Sequence, residues 1–242
     1  MKISEYRTIF NLEADYWWYR GLRELVNFFV KMEEGYVTKS VNLLDAGCGT
    51  GLLLKNLAGQ AKAYGIDVSD TALGFCQKRG LRKIAKASVC SLPFPDQFFD
   101  VIISNDVLCH QEVKNDSVAL SEFHRVLKNG GTLILHLPAF NFLKRPHDKA
   151  VHTRERYDKK NLFKIIKNCG FEPIKVSYRN IFLFPAALML TLFKNRDESD
   201  LRTLPRIMNA ALLGLSRMEN LLIKNINLPF GVSLFCLAKK NA

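Results

Sequence analysis

The stretch LLDAGCGTG, residues 43–51, constrains the fold more than any other part of the chain. A short apolar run (Val41, Leu43, Leu44) ends at Asp45, and Gly47, Gly49 and Gly51 follow at alternate positions. Glycine weakens regular structure, so three in such close order imply left-handed backbone or a very close approach to a ligand. The cluster lies between a buried-strand pattern and a helical pattern over 50–59. That order predicts strand, tight turn and helix, with main-chain N–H groups and a helix N-terminus facing whatever binds.

The same punctuation recurs. Strand patterns at 41–45, 62–68, 82–88, 98–104, 131–137, 171–178 and 232–240 alternate with helical patterns at 50–59, 70–79, 115–128 and 158–169. Gly130–Gly131 and Gly170 stand where helices must stop. Strand–helix alternation at this spacing predicts an α/β fold, a mostly parallel sheet with helices on both faces. The N-terminal 40 residues read as a helical cap carrying consecutive Tyr16, Trp17, Trp18 and Tyr19. Residues 41–179 read as the core and 231–242 as its last strand. Between them, 180–230 is too long for an idle loop and reads as an apolar, basic helical insertion, a lid candidate. Trp17, Trp18 and Tyr19 are expected to close the mouth of a ligand site and touch the substrate.

Six cysteines are scattered without metal-ligand spacing, so no metal is expected. The opening MKISEYRTIF lacks the apolar stretch of a secretion signal, which predicts a cytoplasmic protein with reduced thiols. The net charge of +12 is lopsided: residues 1–139 carry 16 Lys/Arg against 15 Asp/Glu, whereas residues 140–242 carry 19 against 8. A basic half of this kind suits an anionic membrane surface, a nucleic acid or a phosphorylated small molecule.

The glycine turn discriminates between ligands. A dinucleotide site needs G-x-G-x-x-G, with the third glycine at 52, where this chain has Leu52. Asp45 would repel a pyrophosphate and suits a cationic amine. The second strand ends in Asp67, 20 residues after Gly47, where an acid can accept both ribose hydroxyls. Ribose plus amine points to S-adenosylmethionine.

In these features the chain resembles the class I S-adenosylmethionine-dependent methyltransferases. LLDAGCGTG, IDVSDTAL, SLPFPDQFFDVIISNDVLCH and FHRVLKNGGTLIL follow one another in that family's order across 41–137. The resemblance implies a Rossmann-like sheet of seven strands with S-adenosylmethionine as cofactor. It places Asp45, Gly47, Cys48, Gly49 and Gly51 at the methionine part and Asp67 on the ribose. Val68 would pack on the adenine, and Ser88 stands where many relatives carry an aspartate for the adenine amino group, with the Val89 amide beside it. Asn105 and Asp106 would line the methionine side. YWWYRGLRELV at the N-terminus and PAFNFLKRPHDKAVHTRERY with LPFGVSLFCLAKK further on resemble a bacterial subgroup associated with polysaccharide and glycolipid biosynthesis.

Methyl transfer to a hydroxyl needs alignment and a base. His110, His147 and His152 follow strands at the carboxyl edge, where open α/β sheets bind ligands. They are the base candidates, with Asp148 expected to orient one imidazole and His136 expected in the core. Arg145, Arg154 and Arg156 are expected to hold an anionic acceptor. The expected reaction is O-methylation of a small or glycan- or lipid-linked anionic molecule, with 180–230 reaching a peripheral membrane surface. The alternatives are a nucleic-acid methyltransferase, disfavoured because SNDV replaces the (N/D/S)-PP-(Y/F) tetrapeptide, and a non-catalytic S-adenosylmethionine-binding protein.

Overall fold

The computed structural model describes residues 3–33, 41–192 and 203–241. Two helices lead, α1 (Ile3–Leu12) and α2 (Trp17–Lys31). The alternating part runs β1 (Asn42–Ala46), α3 (Leu52–Ala58), β2 (Lys62–Asp67), α4 (Asp70–Lys78), β3 (Ile84–Lys86), β4 (Phe99–Asn105), α5 (Asp116–Val126) and β5 (Leu127–Pro138). A short α6 (Pro146–Ala150) precedes α7 (Lys159–Asn168) and β6 (Phe171–Arg179), and α8 (Phe184–Leu192) and α9 (Arg206–Asn225) come before β7 (Ser233–Lys240). Each strand and helix expected in the core is present, displaced by a few residues at its ends. The largest shift is β5, which begins at Leu127 because its first residues pair with Phe99 of β4 across a bulge.

The sheet order is β3-β2-β1-β4-β5-β7-β6, parallel except for β7, which runs antiparallel to both β5 and β6. The order reverses between β1 and β4. Right-handed crossovers therefore put α3 and α4 on one face and α5 on the other, and leave a crevice at the carboxyl ends of β1 and β4. β1 beyond Asn42 and the inner part of β4 are buried, as a strand covered on both faces must be.

The N-terminal residues do not form a unit of their own. α2 is strongly amphipathic, and its Leu22, Leu25, Val26, Phe29 and Val30 enter the same core as β1, β4 and β5. Its first turn has no side-chain cap from Tyr16. Asn209 of α9 supplies one instead, accepting from the Trp17 amide at 3.0 Å while its Nδ2 donates to the Asp15 carbonyl. The stretch expected as a lid thus begins α9 by capping α2. Close packing of the two helices requires Gly21, since a Cβ there would lie 2.2 Å from Ser216 Oγ.

Candidate active site

The glycine turn closes over the end of β2. Gly47, Gly49 and Gly51 have φ of +92°, +54° and +83°, conformations a side chain resists. A Cβ on Gly47 would meet Val107 at 2.2 Å and one on Gly51 would meet Cys76, whereas beyond Gly49 there is open space. The turn's amides are not turned outward as expected. Gly47 and Cys48 both donate to the Ile66 carbonyl at 2.9 Å, Gly51 to Cys48, and Gly49 to Asp67 Oδ2 at 3.0 Å. With the four N–H groups of Gly47, Cys48, Gly49 and Gly51 spent internally, the loop is a poor cradle for a pyrophosphate. It offers space, carbonyls and carboxylate.

That carboxylate is Asp45, on β1 directly beneath the turn. It is 2% exposed and receives no hydrogen bond from any described residue. Burial first, then the neighbouring charges of Asp67 and Glu13, push its pKa up to about 7. A carboxylate buried beside two others is costly to ionise, and a cationic amine placed against it would offset that cost. Asp67 sits at the end of β2, held by the amides of Gly49 and Ser69, the latter at 2.9 Å. Burial raises its pKa also, and each oxygen keeps a lone pair for a hydroxyl. These residues fit an amine and a ribose, two of the polar groups of S-adenosylmethionine. Val68 is 46% exposed, an apolar surface beside that ribose position.

The remaining cofactor candidates divide. Cys48 turns its thiol away, 3.8 Å from Cys76 Sγ, so only its backbone borders the turn's outer side. Ser88 Oγ accepts from the Cys90 amide at 3.2 Å, while Val89 is buried. Asn105 closes β4 with its side-chain Oδ1 buried and unpartnered. Asp106 follows in the left-handed region (φ +56°), which swings its side chain over β5 to place Oδ2 3.2 Å from His136 Nδ1.

The N-terminal helices contribute residues that the sequence pattern did not single out. Glu13, 7% exposed, accepts from the Thr50 hydroxyl of the glycine turn and from Arg79 at 2.7 Å. Arg79 also lies 4.2 Å above the Phe10 ring, which stacks on Phe75 of α4. These contacts seat the N-terminal segment on the cofactor side of the sheet. Nothing in the local sequence marks Glu13, because its partners are 37 and 66 residues away.

The base and anion candidates are placed differently from expectation. His110 and His152 do converge, with ring centroids 5.7 Å apart, because the loop after β4 is laced to the 152–154 turn by the Gln111 and Arg154 amides. Burial, with His152 alongside, lowers the His110 pKa to about 4, which makes it a weak base. Asp148 does not orient an imidazole. Its oxygens accept from Arg156 Nε and Nη2 at 2.8 and 2.9 Å and from the Arg145 amide at 2.8 Å. Burial alone would raise its pKa, and the Arg156 fork more than offsets that and holds it below the usual carboxylate range. His147, beside it, has its Nδ1 buried without a partner. Arg156 is itself buried, so its fork is consumed within the loop and cannot also hold an acceptor. Arg154 serves Asp116, Glu155 and the Leu108 carbonyl, and Tyr157 donates to the same Asp116 at 2.8 Å. Both arginines neutralise buried carboxylates that fix the loop after β5. Trp17 is buried, whereas Trp18 and Tyr19 are half-buried, and burial followed by the charge of Asp106 raises the Tyr19 pKa.

The profile of a methyltransferase domain family matches residues 44–135, the segment from β1 through β5 that carries this crevice. A human protein described as "Probable tRNA methyltransferase 9B" is 35% identical over 111 residues, 44% of this chain and 23% of that one. The tRNA (carboxymethyluridine(34)-5-O)-methyltransferase of Arabidopsis thaliana is 34% identical over 94 residues, 38% of this chain. This chain spans 23% of the length of each of these two relatives. The solved structure of an S-adenosylmethionine-dependent methyltransferase from Thermotoga maritima superposes with a TM-score of 0.61 at 20% identity, covering 99% of this chain and 96% of that one.

Proposed function

We propose that this chain, whose core belongs to the class I S-adenosylmethionine-dependent methyltransferases, methylates an oxygen of an anionic acceptor, small or linked to a glycan or lipid. The observation that carries the reading is the buried Asp45 beneath a glycine turn four of whose amides are already used, with Asp67 at the end of the neighbouring strand. The bound cofactor supplies an electrophilic methyl. The chain's residues would hold its amine at Asp45, its ribose at Asp67 and its adenine against Val68, Ser88 and the Val89 amide. Asn105 and Asp106 border the methionine side, at the crevice between β1 and β4.

The acceptor's hydroxyl must lose a proton as the new bond forms, and we assign that task to a histidine at the carboxyl edge. His152 and His147 stand ahead of His110, whose burial weakens it as a base. The name of the Arabidopsis relative supports an oxygen acceptor. The subgroup resemblance supports a glycan or glycolipid. Exposed apolar residues on α8 (Leu188, Met189, Leu190) and on α9 (Ile207 and Met218, beside Arg206 and Arg217 in sequence) support contact with an anionic membrane surface. No helix among the described residues is long and apolar enough to cross a membrane.

A tRNA acceptor is the second reading, favoured by the names of the human and Arabidopsis relatives and by the basic C-terminal half. Incubating the protein with methyl-labelled cofactor and cell extract, then tracing the label by mass spectrometry, separates the two. Label in a glycan- or lipid-linked product supports the first. Label confined to tRNA, with binding that weakens steeply as salt rises, replaces it with the second.

A further inference from the structure

Beneath Trp18, the ends of β5 and β6 bring together polar groups with no partner. Arg179, the last residue of β6, is fully buried. Its Nη2 donates to Ser216 Oγ at 3.1 Å, but its Nε and Nη1 donate to nothing. Neither nearby carboxylate completes it: Glu219 accepts from the Asn180 and Ile181 amides, and Asp106 faces His136. Burial lowers the Arg179 pKa to about 10 against the opposing charges of Glu219 and Asp106, so the guanidinium stays charged near neutral pH. The next residue, Asn180, has its Nδ2 buried and unpartnered as well.

The sheet register places Arg179 and His136 on one face. Pro138, Ser233 and Arg179 form one cross-strand row, and His136, Phe235 and Ser177 form the row two residues back. Trp18 spans them, with Arg179 5.8 Å from its ring and His136 meeting it edge-on at 6.2 Å. In the tautomer whose Nδ1 donates to Asp106 Oδ2, His136 Nε2 presents a lone pair with no donor among the described residues. A surface cleft lined by Trp17, Leu212, Ser216, Glu219 and Asn180 opens beside this corner, sharing Ser216 and Asn180 with it.

Three unpartnered donors, two of them on one buried cation, and an unpartnered acceptor that shares the Trp18 ring with that cation describe a specific ligand. The donors ask for oxygen lone pairs and negative charge, and the lone pair of His136 asks for an O–H or N–H. We propose that Arg179 and Asn180 bind the oxyanion, carboxylate or phosphate, of the methyl acceptor, with His136 receiving a hydroxyl of the same molecule. The proposal rests on the methyltransferase reading and assigns its anion to Arg179 in place of Arg156, which is spent on Asp148, and of Arg154, whose Nη2 already serves two carboxylates, Asp116 and Glu155, although its Nε has no partner.

The test titrates the full chain, saturated with S-adenosylhomocysteine, with sodium phosphate and separately with sodium acetate, following heat and Trp fluorescence. Saturable binding of at least one anion to wild type is expected. Arg179→Met should weaken it by about ten- to a hundredfold, the value of charge-assisted hydrogen bonds, and Arg179→Lys should recover part. Thermal unfolding establishes that each variant folds, and should Arg179→Met not fold, Arg179→Lys and Asn180→Ala carry the comparison. Absence of saturable binding in wild type, or equal binding in the folded variants, overturns the proposal. Displacement of the anion by S-adenosylhomocysteine also overturns it, since the site would then belong to the cofactor's own carboxylate. Failure of the chain to bind S-adenosylhomocysteine at all would instead refute the methyltransferase reading.

Discussion

Asp45 makes cofactor affinity a function of pH. In the free protein it is protonated below about 7, because burial and the charges of Asp67 and Glu13 disfavour its ionised form. A ligand ammonium against it requires the carboxylate, so binding must expel the proton. If the bound-state pKa lies well below 5.5, the linkage relation gives a Kd about 25-fold weaker at pH 5.5 than at pH 7.5. Calorimetry with S-adenosylhomocysteine in buffers of different ionisation enthalpy should show nearly one proton released per binding event at pH 6. Asp45→Asn should weaken binding at pH 7.5 by about ten- to a hundredfold and flatten the pH profile. Asp67 and Glu13 are also raised by burial and will leave a residual slope, so the difference between the two profiles is the quantity to read. The stability of the free protein runs the other way. A raised carboxyl pKa contributes stability that is present below about 4 and lost as pH rises through about 7. A shift from 3.8 to about 7 corresponds to about 4 kcal/mol, so at pH 8 the Asn variant should be the more stable protein. Superimposable binding profiles for wild type and Asp45→Asn would refute the reasoning.

Asp67→Ala should weaken S-adenosylmethionine binding by roughly ten- to a hundredfold, and unchanged affinity would remove Asp67 from the ribose. His152→Ala or His147→Ala should lower kcat by about 10²–10⁴ with cofactor affinity unaltered, whereas turnover within about threefold of wild type in both and in His110→Ala would leave alignment as the sole source of rate. Asp148→Ala strands the buried Arg156 and should cost about 3–5 kcal/mol in urea unfolding, a result that a surface role for Asp148 could not give. Co-flotation with anionic liposomes at low salt is expected from the exposed apolar residues of α8 and α9, and its absence would defeat the membrane contact.

The order of elements was legible because it is written in local terms. Strand runs of five to nine residues, helical periodicity and glycines at helix ends each concern neighbours within a few positions. The glycine turn and Asp67 could be placed for the same reason, since a strand end and its following turn are contiguous in the chain. What a charged residue faces is not local. Arg156 and Asp148 are eight residues apart and read equally well as an anion clamp and a base pair, until folding buries them together and pairs them with each other. Arg179 looked like any residue at a strand end. That it shares the Trp18 ring with His136 depends on β7 inserting antiparallel between β5 and β6, and on Gly21 letting α2 lay Trp18 over both. Hydrophobic pattern fixes which face of a strand is buried, whereas which buried polar groups become neighbours is decided by strand order and helix docking across 40 or more residues of chain, as with Arg179 and His136.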